Sequence, residues 1–238
     1  MRRTTLAIGL VFLALAVSAS ALAQTSTKTP RKKAPPTQTA ESQAALTPDS
    51  ALEKLKNGNA RFVAKNMRSR DWLAKGSATA SGQYPFAVIL ACMDSRAPIE
   101  IIFDQGIGDV FGIRIAGNVV NEDVLGSMEY ATNVVGSKLL VVLGHTSCGA
   151  VKGAIDDAKL GNLTELLGKI RPAVSAAGPG SAKDEAYVTK VAEANVRQAM
   201  KEIREKSPTI KAQLDAGTIG LVGAMYDVST GKVMFLPD

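Results

Sequence analysis

The sequence predicts an α/β fold: a mainly parallel central β-sheet flanked by helices, with an N-terminal helical arm and a C-terminal strand or hairpin extension. The first observation is a pair of short apolar runs without polar alternation, FAVILA at 86–91 and KLLVVLGH at 138–145. Such runs are typical of strands that are buried on both faces. The second observation is helical periodicity between strand-like segments, and this succession predicts neighbouring parallel strands.

The remaining elements follow the same pattern. DVFGIRI (109–115) is a further strand candidate, and 121–135 is predicted to be a helix with acidic residues in its first turn. Residues 184–206 give the clearest amphipathic helix. Residues 218–228 and 232–236, separated by Ser-Thr-Gly, predict a strand and a terminal hairpin arm. In open sheets of this kind, ligands bind at the carboxyl ends of the strands.

The start of the chain has the pattern of an export signal. Residues 1–23 contain two arginines, an apolar stretch that begins at Leu6, and small residues that end at Ala23. We expect cleavage after Ala23 and export to the periplasm, or secretion from a cell without an outer membrane. The apolar stretch is short for a membrane span, and no later stretch reaches eighteen consecutive apolar residues, so no membrane association is expected after cleavage.

A leader and one folded domain are predicted to follow the signal peptide. Residues 24–46 are rich in Pro, Thr, Ser, Gln and Lys with almost no large apolar side chains, which predicts a disordered leader. Thr47 can cap a helix and Pro48 suits the first helical position, so the folded domain is predicted to span 47–238. Its length suffices for a single well-cored domain.

Composition and spacing argue against two classes of ligand. The net charge is +6 over 238 residues, and no arginine-rich stripe is interleaved with aromatic residues, so no nucleic-acid partner is predicted. The glycines of GIGDVFG (106–112) do not have dinucleotide-binding spacing, so no nucleotide cofactor is predicted.

Both cysteines and the single histidine lie at predicted strand ends. Cys92 follows the strand at 86–91, and His145 and Cys148 form a His-x-x-Cys pair at the end of the strand at 138–144. Two thiolates and one imidazole are ligands that zinc accepts while leaving a fourth position open for water.

The residues alone leave other interpretations open. Cysteines of an exported protein commonly pair, so Cys92 and Cys148 are also consistent with a disulfide in a non-enzymatic binding protein. His145 is also placed to activate Cys148 as a nucleophile. Finally, free cysteines are often small buried hydrophobic residues, and Asp94 with Arg96 fits an ordinary loop ion pair.

The paired motifs CMDSR (92–96) and HTSCG (145–149) resemble the Cys-x-Asp-x-Arg and His-x-x-Cys motifs of the β-class carbonic anhydrases. These are zinc enzymes that interconvert carbon dioxide and bicarbonate. The likeness continues through LKNGNARF, RIAGNVV, GSMEYA and YDVSTGKV, and so covers nearly the whole predicted domain.

The resemblance implies Zn²⁺ held by Cys92, His145 and Cys148, with Asp94 and Arg96 as the catalytic pair. In this pair the aspartate accepts a hydrogen bond from the attacking group, and the arginine restrains the aspartate. Hydrolases of carbon disulfide or carbonyl sulfide share the scaffold and the ligands, so they are the alternative within this resemblance.

Substrate-pocket residues are also implied by the resemblance. Gln83, Phe111 and Tyr130 match by spacing the residues that line the pocket in plant-type members, and Gly149 is assigned to the same pocket. Because a neighbouring subunit supplies part of that pocket in the family, a homodimer or homotetramer is implied. Ile115 follows Arg114 where many relatives have asparagine, which leaves the subtype open.

Overall fold

The computed structural model describes Lys33 and residues 36–237, so the predicted signal peptide at 1–23 lies outside the described residues. The strands are β1 (Ala87–Ala91), β2 (Val110–Arg114), β3 (Leu139–His145), β4 (Gly220–Tyr226) and β5 (Val233–Phe235). In the described residues they form one sheet in the order β2-β1-β3-β4-β5. The first four strands are parallel and β5 is antiparallel to β4. The predicted α/β class and the C-terminal hairpin are confirmed.

Helices cover both faces of the sheet. They are α1 (Ala40–Ala44), α2 (Pro48–Val63), α3 (Trp72–Ala78), α4 (Ile99–Ile102), α5 (Glu122–Glu129), α6 (Gly149–Ile155), α7 (Gly161–Gly168), α8 (Arg171–Ala177), α9 (Glu185–Lys206) and α10 (Pro208–Asp215). A 3₁₀ turn (Ala116–Asn118) follows β2, and a π-helical turn (Tyr130–Val134) extends α5. Among the described residues, none of the helices combines the length and apolar character that a membrane crossing requires.

The central strands explain the two continuous apolar runs of the sequence. Every residue of β1 and β3 is buried. Val88 and Leu90 of β1 face a core that contains residues of α5, α6 and α9, whereas Ala87 and Ile89 face a second core with residues of α2 and α4. Because successive side chains point to opposite faces of a strand, a strand between two helical layers has no solvent-facing position.

Helix α2 begins where the sequence predicts. The Thr47 side chain accepts a hydrogen bond from the N–H of Ser50, the Ser50 hydroxyl accepts one from the N–H of Thr47, and Pro48 occupies the first turn. At Gly58 the helix meets the end of α4 so closely that a Cβ would lie 1.8 Å from the carbonyl oxygen of Phe103. Glycine is therefore required for this close packing.

The predicted disordered leader at 24–46 is wrong at its C-terminal end. Helix α1 begins after Thr39, which forms a reciprocal capping pair with Ser42. The buried side chain of Gln43 donates a hydrogen bond of 2.8 Å to the carbonyl oxygen of Pro85. A polar side chain thus anchors this segment, so the scarcity of large apolar residues does not indicate its order. Residues 24–32, 34 and 35 lie outside the described part of the chain.

A buried carboxylate joins α2 and the segment after it to the end of α4. The side chain of Asp104 is fully buried and forms ion pairs with Arg61 and Arg70, and the side chain of Arg70 is only 2% exposed. The backbone N–H of Arg68 also donates to this carboxylate. Since an unpaired buried charge is strongly unfavourable, the three groups depend on one another.

We expect Asp104→Asn to lower the free energy of unfolding by about 3 to 5 kcal/mol, because it leaves two arginines without their buried counter-charge. Asparagine tolerates the left-handed backbone at this position, where φ is +46°. The decrease in the free energy of unfolding therefore measures the effect of removing the charge and not of backbone strain. Urea denaturation followed by circular dichroism measures it.

Glu205→Gln is the matched control, because Glu205 forms an exposed pair with Lys201 at 3.7 Å. Its removal should change stability by less than about 1 kcal/mol. Equal losses in the two variants would show that the Asp104 network does not stabilise the fold as described.

Candidate metal centre

The parallel pairing of β1 with β3 brings the candidate ligands to one edge of the sheet. Ala91, the last residue of β1, pairs with Leu143 of β3. Cys92 follows Ala91 directly, and His145 is the last residue of β3. Cys148 lies just before α6. The predicted convergence at the carboxyl ends of the strands is therefore confirmed.

The three residues form a compact buried cluster. One ligand atom from each of Cys92, His145 and Cys148 lies within 4.8 Å of the other two. Both cysteines are free and buried. The structure thus does not favour a disulfide. The imidazole of His145 lies close to both sulfurs and not to Cys148 alone, so the structure does not single out Cys148 as an activated nucleophile.

The orientation of His145 leaves one ring nitrogen for a ligand. Its Nδ1 lies 2.9 Å from the carbonyl oxygen of Thr146, a geometry that favours a proton on Nδ1. Its Nε2 is buried and has no hydrogen-bond partner among the described residues. A backbone carbonyl on one nitrogen and a free lone pair on the other is the usual arrangement of a metal-binding histidine.

The two sulfurs hydrogen-bond to each other, and this contact shifts their pKa values in opposite directions. A hydrogen bond from Cys148 lowers the pKa of the Cys92 thiol to about 4, and the N–H of Gly117, 3.3 Å from the sulfur, acts in the same direction. The contact with Cys92, together with burial, raises the pKa of Cys148. A thiolate, a displaceable thiol proton and a free imidazole nitrogen fit zinc, whose binding to such sites releases protons.

Left-handed backbone conformations shape the loops around the cluster. Ser147, between His145 and Cys148, has φ of +55°, and Gly117 has φ of +67°. A Cβ on Gly117 would lie 2.5 Å from Cδ1 of Ile170. Glycine therefore allows the chain after β2 to bring its N–H to the sulfur of Cys92.

Asp94 lies beside the cluster and is held by Arg96. The guanidinium donates to both carboxylate oxygens, from Nε at 2.9 Å and from Nη2 at 2.8 Å. These bonds hold the pKa of Asp94 well below its usual range, so the group is ionised. Its Oδ2 lies 3.9 Å from Nε2 of His145. The structure therefore brings the predicted catalytic pair to the metal ligands.

Two positioning residues were not predicted from the sequence. Arg114, at the end of β2, donates to the carbonyl oxygens of Cys92 and Asp94. Glu185, at the start of α9, accepts a hydrogen bond of 2.8 Å from the Ser147 hydroxyl. The position of Arg114 at the end of a predicted strand indicates a place near the site. Nothing in the sequence links Glu185 to Ser147.

Three of the four predicted pocket residues do not lie at the cluster within one chain. The rings of Phe111 and Tyr130 lie 6.4 Å apart and line a cavity of about 570 Å³, whose lining contains none of the three candidate ligands. Gln83 is exposed in the segment before β1. Gly149 does lie at the site, directly after Cys148, and a Cβ there would meet no atom within 4 Å. The assignment of the first three to a substrate pocket remains a prediction.

Comparison with known proteins agrees with the geometry of the cluster. A family model described as carbonic anhydrase matches residues 87–233, which is more than half of the chain. A carbonic anhydrase of Mycolicibacterium smegmatis is 36% identical over 192 residues, covering 78% of this chain and 92% of the relative. Carbonic anhydrase 2 of Mycobacterium tuberculosis is 37% identical over 193 residues, covering 79% and 92%.

Solved structures share the fold as well. The β-carbonic anhydrase CafA of Aspergillus fumigatus is 29% identical with a TM-score of 0.61, covering 79% of this chain and 89% of that one. Two tetrameric β-carbonic anhydrases of Sordaria macrospora are represented by a chain with 24% identity and a TM-score of 0.62, covering 80% and 96%. Together with the cluster of Cys92, His145 and Cys148, these matches show that the chain belongs to the β-class of the carbonic anhydrase family.

Proposed function

We propose that this protein interconverts carbon dioxide and bicarbonate at a Zn²⁺ ion held by Cys92, His145 and Cys148. The observation that carries the proposal is the buried ligand cluster, whose donor atoms lie within 4.8 Å of one another. The ionised Asp94 lies next to it. Relatives named carbonic anhydrase, at 36% and 37% identity over most of the chain, support the same reaction.

The chain's own groups have separate tasks in this reaction. Zinc, when bound, lowers the pKa of water from 15.7 to about 7 and so supplies a nucleophile at neutral pH. Asp94 accepts a hydrogen bond from the attacking group and fixes its orientation. Arg96 holds both oxygens of Asp94, which keeps the carboxylate from turning toward the metal ligands. The Thr146 carbonyl fixes the ring of His145.

The two alternatives have less support. Hydrolysis of carbon disulfide or carbonyl sulfide needs the same ligands, but the relatives above are named carbonic anhydrases. A non-enzymatic protein with a disulfide needs bonded sulfurs, whereas Cys92 and Cys148 are free. Carbon dioxide hydration therefore agrees with more of the observations.

We expect the purified full chain to contain about one zinc ion per chain and to hydrate carbon dioxide, because zinc accepts this ligand set with one position open. Mass spectrometry of the metal and stopped-flow hydration assays measure the two quantities. Chelation should abolish the rate and added Zn²⁺ should restore it. Cys148→Ser should lose both metal and rate while the circular dichroism spectrum is retained.

Outcomes that contradict this proposal are distinct. A zinc-free protein without titratable thiols would support the disulfide alternative. A zinc-loaded protein that hydrolyses carbonyl sulfide but does not accelerate carbon dioxide hydration would support the other alternative.

We expect Arg96→Lys to lower kcat/KM for hydration by about 100-fold, because an ammonium group cannot hold both oxygens of Asp94 and small misplacements at a reacting centre are that costly. Zinc content should remain that of the unaltered protein. Arg204→Lys is the matched control on the exposed surface of α9. An Arg96→Lys variant as active as this control would exclude a positioning role for the guanidinium.

A second copy of the chain is proposed to complete the substrate pocket. Strand β2 lies at the edge of the sheet, and its Phe111 lines the 570 Å³ cavity together with Tyr130. Tyr130 is 52% exposed and Val134 is 72% exposed. An exposed edge strand beside apolar side chains favours pairing with another chain. The Sordaria macrospora relatives, which are tetrameric, have the same fold.

We expect the protein to sediment as a dimer or a larger assembly, and Tyr130→Asp to shift it to a monomer of about one chain mass, because the substitution buries an unpaired charge in the contact. Analytical ultracentrifugation measures this. Leu160→Asp is the control, since Leu160 is 70% exposed at the start of α7. A monomeric unaltered protein with full activity would contradict a shared pocket.

A further inference from the structure

Two adjoining cavities lie at the end of the parallel strands that is opposite to the metal centre. One has a volume of about 500 Å³ and the other about 320 Å³, and both are lined by Pro36 and Arg70. The smaller one is also lined by Phe86 and Asp109, which directly precede β1 and β2. The cavities therefore lie at the amino ends of these strands, whereas Cys92 and His145 lie at the carboxyl ends.

The walls of these cavities carry a large excess of positive charge. The acidic lining residues are Asp71 and Asp109. The basic lining residues are Lys33, Lys54, Arg61, Arg68, Arg70 and Lys75. Asp104 does not line the cavities but neutralises part of the charge of Arg61 and Arg70, and the cavities remain cationic.

Three buried donors in these walls have no acceptor among the described residues. They are Nε of Arg70, Nζ of Lys75 and the side-chain amide nitrogen of Gln38. The nearest carboxylate oxygen to Lys75 is on Asp109, at 3.7 Å, which is beyond hydrogen-bond distance. The side chains of Arg70 and Lys75 are 2% and 10% exposed, so bulk solvent does not replace the missing acceptor. Such groups are costly unless something satisfies them.

Two further cations of the smaller cavity are destabilised by their surroundings. Burial lowers the pKa of Lys54, and burial together with the neighbouring Arg61 lowers the pKa of Arg68. Both shifts disfavour the charged form, and an anion between these groups would oppose them. The missing component is thus an acceptor with negative charge.

We propose that these cavities bind a tetrahedral oxyanion of the inorganic phosphate or sulfate type. The unpaired donors lie on different walls: Gln38 lines the smaller cavity, Lys75 lines the larger one, and Arg70 lines both. Oxygens that point in several directions can meet donors on different walls of one cavity, whereas the two coplanar oxygens of a carboxylate suit a paired fork. A water molecule takes about 30 Å³, so either cavity has room for the ion and its hydration.

Ligand binding at this place would join the N-terminal segment to the domain. Pro36, Thr37 and Gln38 form one wall of the cavities, and α3 with the residues before it forms another. An oxyanion that bonds to Gln38 and Arg70 in the smaller cavity, or to Lys75 and Arg70 beside Pro36 in the larger one, therefore lies between the two walls. This proposal does not depend on the proposed hydration activity, because it uses none of the metal ligands.

Isothermal titration of inorganic phosphate and of sulfate into the zinc-loaded full chain, in a low-chloride buffer, tests the site. We expect saturable binding of at least one of the two anions, weakened at least tenfold in Lys75→Gln. Arg68→Gln is the second variant, should Lys75→Gln fail to fold. Lys169→Gln removes the same charge from an exposed position after α7 and should bind as the unaltered protein does.

The control also separates this site from the metal centre. An anion that binds only at the metal would bind equally to the three variants, and that result would overturn the proposal. Absence of saturable binding of both anions would overturn it as well. Binding of bicarbonate without phosphate or sulfate would exclude the tetrahedral preference. A thermal-unfolding midpoint that rises with phosphate in the Lys169→Gln variant but not in the Lys75→Gln variant would support it.

Discussion

The register between β1 and β3 is the constraint on which the metal centre depends. Ala91 pairs with Leu143, so the residues that follow each strand emerge side by side at one edge of the sheet. A slip of one residue would turn His145 to the opposite face and separate its ring from the sulfurs. The full burial of both strands between two helical layers makes such a slip very unfavourable. Core packing thus sets the positions of the ligands.

Electrostatic interactions keep the carboxylate of Asp94 away from the metal ligands. Asp94 is only 3.9 Å from the imidazole nitrogen that faces the sulfurs, so its carboxylate is close enough to compete for a cation. The two charge-assisted bonds from Arg96 oppose this, and Arg114 fixes the backbone of Asp94 by its carbonyl oxygen. The hydrogen bonds to Asp94 raise the pKa of Arg96, and the negative charge at Cys148 and Cys92 acts in the same direction, so this guanidinium lies within electrostatic reach of both sulfurs.

The sequence was informative where function depends on features that are local along the chain. Cys92, His145 and Cys148 follow predicted strands, so their convergence needed only the parallel arrangement. Arg114 was missed because its role requires β2 to neighbour β1, an order that periodicity does not encode. Glu185 was missed because the contact with Ser147 depends on how the start of α9 packs. The order of the segment around Gln43 was missed because one polar hydrogen bond, and not an apolar face, anchors it.

Buried polar groups lack a partner at both ends of the parallel strands, and the missing partners have opposite charge. At the carboxyl edge the unsatisfied group is a lone pair, on Nε2 of His145, beside a sulfur whose low pKa favours a thiolate. At the amino edge the unsatisfied groups are N–H donors, with Lys75 and Arg70 among them. The side chains of Arg70 and Lys75 are only 2% and 10% exposed, so these donors do not reach bulk solvent. A cation would complete the first set and the proposed oxyanion the second, and the sheet would keep the two charges apart.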